Sequence, residues 1–308
     1  MKKFLQKFLI FIIPILLVLI GFELYFRNSQ NSFITIANYF KKNKGTIEVL
    51  ILGSSHNQCA LNPKFFKMKT ANLSYGSQDI QLDSALFFHN INQMKNLKKV
   101  IFELDYHSLD TQREKDYFRY SWYSIYYDIE IYPINYLNKL SIYLSNTKLF
   151  NKIILERFNK NYRPPIINKF GFEEGNFSDE FSEMNYDPNK IANSAKKRIE
   201  FRHKEISDLD FKKNSERIMS IIEYCKQKNI EIYIFSTPLY KTYIENELII
   251  KKIKVNKFIQ NLITKYNIKY LDFEKNSDFT IKDFSNDDHL NAKGAEKYSI
   301  IIDSIINN

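Results

Sequence analysis

Cysteine occurs only twice in the chain, at Cys59 and Cys225, and no Cys or His spacing matches a structural zinc site. The two cysteines fall in separate predicted helices, which leaves one disulfide or two thiols on apolar core faces. No metal or other cofactor is predicted. Glycine is scarce as well, at seven. Acidic residues number 35 against 45 Lys and Arg, a formal charge of +10. The lysines are nevertheless spread through the chain and no aromatic-basic binding module is present, so no nucleic-acid partner is predicted. Attraction to an anionic membrane or glycan is the better use of that charge. No small-x-small cleavage site follows the apolar run near the amino terminus, which argues for an uncleaved anchor.

What the chain does have begins with that run. Residues 8–22, FLIFIIPILLVLIGF, carry no charge, Glu23 interrupts, and Leu24, Tyr25 and Phe26 extend it. Lys2, Lys3 and Lys7 precede it. Basic residues stay in the cytoplasm, so the expectation is one transmembrane anchor with a cytoplasmic tip over 1–27 and everything after it outside. Residues 28–45 read as a stalk or amphipathic connector, with Lys41, Lys42 and Lys44 near the membrane in sequence. The remaining 46–308 suffices for one medium domain, and 44% hydrophobic residues, 16% of the chain being aromatic, suffice for its core.

Within that domain Val49 to Leu52 is an unbroken aliphatic run that stops at Gly53, as suits a buried parallel strand. Strands are also predicted over 100–104, 230–235 and 268–273. Helices are predicted from Asp79 onward, where Ile80, Phe87, Ile91 and Met94 share a face, and over 214–228, 247–266 and 292–306. Alternation of this kind implies an α/β fold with a parallel sheet covered by helices on both faces. A gap at about 106–213, rich in Tyr and Phe and containing Trp122, breaks the rhythm. It reads as a partly helical insertion over the ligand crevice, its aromatics packing a small core of their own or stacking on sugar rings.

Gly53-Ser54-Ser55-His56 sits where the first strand ends, at the edge on which open α/β sheets place ligands. Either serine could simply cap the following helix. Two more stretches, NLSYG at 72–76 and DDHLNAKG at 287–294, give the serines a chemical context. A serine hydroxyl needs an imidazole to take its proton, and the imidazole needs an acceptor that fixes its tautomer and balances its charge.

With these blocks in order the chain resembles the SGNH (GDSL-like) hydrolases, and more closely their membrane-anchored bacterial branch that acylates cell-surface polysaccharides. The resemblance implies a flavodoxin-like three-layer sandwich with Ser55 as nucleophile and Ser54 in the place of the family aspartate. It further implies His289 as base, and the backbone N–H groups of Ser55 and Gly76 as the oxyanion hole. Asn286 stands where the family has its aspartate, with Asp287 and Asp288 next; Asp287 is the expected orienter of His289, and Asn286 could accept an N–H bond without supplying charge. ELDYHSL at 103–109 replaces the family block that brings an oxyanion-hole asparagine. His56 could touch substrate or only line the first helix turn, and His107 could supply an oxyanion or substrate contact, with structural packing the favoured role for it. The implied activity is acyl transfer or ester hydrolysis, with acetyl as the acyl group, on a cell-envelope glycan through an acyl-serine. A membrane-bound O-acyltransferase is the implied partner. The alternative is a catalytically weak scaffold or glycan-binding protein that keeps the fold.

Overall fold

The computed structural model describes residues 1–29, 31–160, 162–175, 179–204 and 206–308, without the side chain of Arg202. Two compact units result, one of residues 1–34 and 114–164, the other of 35–113 and 165–308.

The second unit is built on a parallel sheet: β1 (Val49–Leu52), β2 (Thr70–Asn72), β3 (Lys99–Glu103), β4 (Glu231–Ser236) and β5 (Lys269–Asp272), in the order β2-β1-β3-β4-β5. That order is the flavodoxin-like one, whose switch point lies between β1 and β3. All four residues of β1 are fully buried, because aliphatic side chains of a central parallel strand find a helix layer on either face. Val49, Ile51, Ile101, Tyr233 and Phe235 point to one face, where they share a core with Tyr298, Ile302 and Ile306 of the helix Ala292–Asn307. Alternation sends Leu50, Val100 and Ile232 to the other. Buried apolar residues recur at helical spacing along Ile80–Asn90, Asp208–Gln227 and Ile249–Tyr266, which supply the remaining helix layers. The sheet and helices are an α/β three-layer arrangement, and each predicted strand and helix is present with ends shifted by a few residues. β2 is the addition, three residues long and outside the sequence expectation.

Both cysteines are free and buried. The segment expected as a connector holds the helix Ser32–Asn43, which buries Ile36, Ala37 and Phe40.

In the first unit, the helix Lys2–Asn28 is long and apolar enough to cross a membrane. Its 27 residues rise about 40 Å, more than a hydrocarbon core of roughly 30 Å. Glu23, which interrupts the apolar run, accepts hydrogen bonds from Ser141 Oγ at 2.6 Å and from the backbone N–H groups of Ile142 and Tyr143 at 3.0 and 3.1 Å. The insertion's aromatics pack together here. Phe33 meets the rings of Trp122, Tyr123 and Tyr127 edge-on at 5.2 to 5.7 Å.

Candidate active site

The chain leaves β1 through Gly53 at a φ of 139°, a conformation that only glycine takes without strain. A side chain there would also strike Glu103 at the end of β3, whose Oε2 lies 2.7 Å from where its Cβ would be. The turn is pinned by carboxylates: Gly53 N–H donates to Asp83 Oδ1 at 2.9 Å, and Ser54 N–H and Asn57 N–H donate to Glu103 Oε2 at 3.0 and 2.7 Å. Ser54 Oγ donates to Glu103 Oε1 at 2.5 Å and accepts from His56 N–H at 3.4 Å, so it is the N-cap of the helix Ser55–Ala60. The capping role falls to Ser54. Ser55 faces a cavity of about 520 Å3, its hydroxyl without a hydrogen bond among the described residues.

The 72–76 stretch reaches Ser55 along β1. Leu73 N–H donates to Ile51 O and Tyr75 N–H to Gly53 O, at 2.9 and 3.3 Å, while Asn72 Nδ2 ties the stretch to Asn57 O and Leu61 O at 2.9 and 2.8 Å. Gly76 ends close by, its would-be Cβ 4.0 Å from Ser55 Cβ. Its N–H, expected to hold an oxyanion, donates instead to Gln58 Oε1 at 2.7 Å. Gln58 lies one helical turn beyond Ser55, so both belong to the same corner of the site.

His289 lines the same cavity. Asn286 Oδ1 accepts from the backbone N–H groups of Asp288 and His289 at 3.2 and 2.9 Å, which curls the loop tightly before the last helix. That curl corrects the expected orienter. Asp287 turns away from the imidazole and ion-pairs with Arg198 Nε at 2.5 Å, at 0% exposure. Two other groups meet His289 Nδ1: Asn286 Oδ1 at 3.0 Å with hydrogen-bond geometry, and Asp288 Oδ1 at 2.8 Å, off the direction of a hydrogen bond. Asn286 therefore fixes the tautomer with the proton on Nδ1, and Asp288 supplies the charge. Nε2 is left buried, with no hydrogen-bond partner among the described residues. Ser55 Oγ makes no hydrogen bond to it, and catalytic hydrogen bonds of this kind often tighten only when substrate binds.

Burial raises the Asp287 carboxyl, as does neighbouring Asp288, to about 6 even though Arg198 works against them. Burial also opposes ionisation of Asp288, but His289, His56 and Arg198 overcome it and hold its carboxyl well below the ordinary range. His56, a candidate for touching substrate or lining the helix turn, is 3% exposed and engaged at both nitrogens, with Nδ1 2.5 Å from Asp105 Oδ2 and Nε2 3.7 Å from Asp288 Oδ2. Burial would drive its proton off; Asp105, Asp288 and Glu103 keep it, with a pKa well above 6.5. His107 lines the cavity and titrates the other way, pushed well down by burial and by the neighbouring His203 and His56. Glu103 is raised to about 7 by burial and by Asp105. His56, Asp288 and His289, or His56, Glu103 and Asp105, bring one donor atom each within 4.8 Å, near enough to hold a metal ion. A metal at either trio would have to displace the proton that the carboxylates hold on His56.

Glu103, Asp105, Asp288, Arg198 and Gln58 escaped the sequence expectation. The signal for the first two was present: carboxylates two apart at the end of a buried strand face the crevice or must pair.

No family model matches the sequence, and no curated protein matches it. Among solved structures, an acylhydrolase assignment from Bacteroides fragilis NCTC 9343 aligns over 88% of this chain and 97% of its own, at 12% identity and a TM-score of 0.42. A GDSL-like lipase from Bacteroides thetaiotaomicron VPI-5482 aligns over 88% and 98%, at 10% identity and a TM-score of 0.39.

Proposed function

We propose that the protein is a serine-dependent esterase or O-acyltransferase that works through an acyl-Ser55 intermediate. The observation that carries this reading is the state of His289. Its Nδ1 is occupied by Asn286 and flanked by ionised Asp288, and it shares a cavity with the Ser55 hydroxyl; among the described residues neither its buried Nε2 nor that hydroxyl has a hydrogen-bond partner. In the first step Ser55 Oγ bonds to the acyl carbon while its proton passes to His289 Nε2. The ester C–O bond then breaks, and the departing alcohol takes that proton. Water or an acceptor hydroxyl attacks the acyl-serine in turn, again giving its proton to Nε2, and Ser55 takes it back.

The remaining parts of the reading rest on the resemblance and on the apolar helix. They are an acetyl group as cargo, a cell-envelope glycan as donor or acceptor, a membrane-bound O-acyltransferase as partner, and a domain held outside the cytoplasm by a single span. The rival reading, a fold-retaining scaffold or glycan-binding protein, draws support from one contact: Gln58 occupies the Gly76 N–H that an oxyanion would need. Labelling with a fluorophosphonate separates the two. Ser55 should be modified in the wild type, far more slowly in His289→Ala, and not at all in Ser55→Ala. A wild-type protein that resists the probe, or equal labelling of Ser55→Ala, would overturn the enzyme reading.

A further inference from the structure

The acyl chemistry uses the carboxyl ends of the strands. A second concavity, of about 800 Å3, opens at their amino ends, beside Glu48 before β1 and Lys69 and Thr70 at β2. One wall is the helix Ser32–Asn43, which turns Thr35, Asn38, Tyr39, Lys42 and Asn43 into the groove. Those positions are spaced 3, 4, 7 and 8 residues apart from the first, a single helical face, while Ile36, Ala37 and Phe40 are buried on the other.

Five lysines line the groove, Lys42, Lys64, Lys67, Lys69 and Lys169, against the single carboxylate of Glu48. Glu48 is already paired with Lys98 at 2.6 Å, and of the five only Lys64 has a carboxylate of its own, Glu174 at 3.1 Å. Lys69 Nζ donates to a hydroxyl, Thr46 Oγ1, at 2.8 Å. Among the described residues Lys42, Lys67, Lys69 and Lys169 thus have no anionic partner. Like charges gathered on one concave surface raise the local concentration of anions, and an ammonium is a strong point-charge ligand for phosphate.

Chain length says which anion is at hand. Ser32 lies four residue steps beyond Asn28, where the apolar helix ends, a span of at most about 14 Å. From Ser32 to Lys42 the helix rises roughly 15 Å more. If the apolar helix crosses a bilayer, the groove is tethered within about 30 Å of its surface.

We propose that the groove binds the phosphate of an anionic phospholipid headgroup. Binding there seats the amino end of the sheet on the membrane and turns the Ser55 cavity, at the carboxyl end, away from it. The inference rests on the membrane-spanning role of the apolar helix and is independent of the acyl chemistry.

The test uses the full chain reconstituted in vesicles of phosphatidylcholine, with and without phosphatidylglycerol, and mass-spectrometric readout of lysine acetylation by an N-hydroxysuccinimide ester. Phosphatidylglycerol should protect Lys42, Lys67, Lys69 and Lys169 several-fold and leave Lys241, beyond the carboxyl end of β4, unchanged. In a triple variant, Lys42→Gln with Lys67→Gln and Lys169→Gln, the protection of Lys69 should disappear. Equal labelling in the two kinds of vesicle overturns the proposal. Equal protection by inorganic phosphate in pure phosphatidylcholine also overturns it, since the groove would then take free anions. Failure to float with phosphatidylcholine vesicles removes the membrane itself and overturns it by that route.

Discussion

Two histidines stand side by side over the switch point, their rings 5.2 Å apart and nearly perpendicular, and both lean on Asp288. His56 is gripped from two sides: Asp105 sits at Nδ1 and Asp288 beyond Nε2, so the proton stays and the ring has nothing left to offer. His289 is gripped from one side, and its Nε2 is unpaired. The residue type is the same and the burial is similar. The difference lies in how many of the two ring nitrogens the fold has already engaged. An imidazole can act as a base when one nitrogen is fixed and the other is not, so of the two rings it is His289 that suits the base of the proposed reaction.

The largest effect should come from the free side. Ser55→Ala and His289→Ala are each expected to abolish turnover of an acetyl ester such as p-nitrophenyl acetate, and the double variant should lose little more than either alone. Additive losses would mean that the two groups do not act as a unit. Circular dichroism should show native folding in both, since each side chain faces the cavity.

Next in size is the charge behind His289. Asp288→Asn should lower kcat by about 10^4-fold, as loss of a buried triad carboxylate does elsewhere, while Asn286→Ala should cost less because Asp288 remains beside Nδ1. Asp287→Asn is the sharper control. It leaves Arg198 short of a buried partner, so its cost of about 3–5 kcal/mol should appear in denaturant unfolding far more than in kcat. The opposite pattern, an inactive but stable Asp287→Asn, would restore Asp287 as the orienter.

His56 gives the third test. Its pKa is raised in the folded protein, so the stability it contributes is fully present below its ordinary value near 6.5 and is lost as pH rises through the folded value. Asp105→Asn should destabilise the protein by about 3–5 kcal/mol and flatten that alkaline decline. Unchanged pH dependence of unfolding would show that Asp105 does not hold the proton.

These tests also mark how far the sequence could be read. β1, β3 and β4 announce themselves because a buried parallel strand must be apolar on both faces. The edge strand β2, three residues of which two are Thr and Asn, carries no such pattern. The positions of Ser55 after the first strand and of His289 before the last helix were legible from local blocks. Asp287 was misassigned because which of three adjacent side chains meets an imidazole depends on where the loop curls. That curl is set by Asn286 Oδ1, and by Arg198, which reaches Asp287 from 89 residues away in sequence. The engagement of Gly76 by Gln58 was likewise invisible, since no pattern in 72–76 or 53–58 specifies which acceptor a backbone N–H will find.

The smallest expected effect belongs to Ser54, the neighbour that the turn has claimed. Its hydroxyl caps a short helix and donates to Glu103, which keeps two backbone N–H donors when that hydroxyl is removed. Ser54→Ala should therefore cost about 1–3 kcal/mol of stability and leave acyl transfer within about tenfold of wild type. The signature is in the pH dependence. Glu103 is raised from 4.5 to about 7 in the folded protein, so the folded state holds a proton that the unfolded chain has released between those values. Stability must then fall as pH rises across that interval. The Ser54 bond favours the ionised carboxylate; without it the Glu103 pKa rises further, and the decline should extend to higher pH in Ser54→Ala and vanish in Glu103→Gln. Denaturant unfolding at a series of pH values checks both, and a Ser54→Ala profile parallel to wild type would show that the bond to Glu103 has no part in holding the turn beneath Ser55.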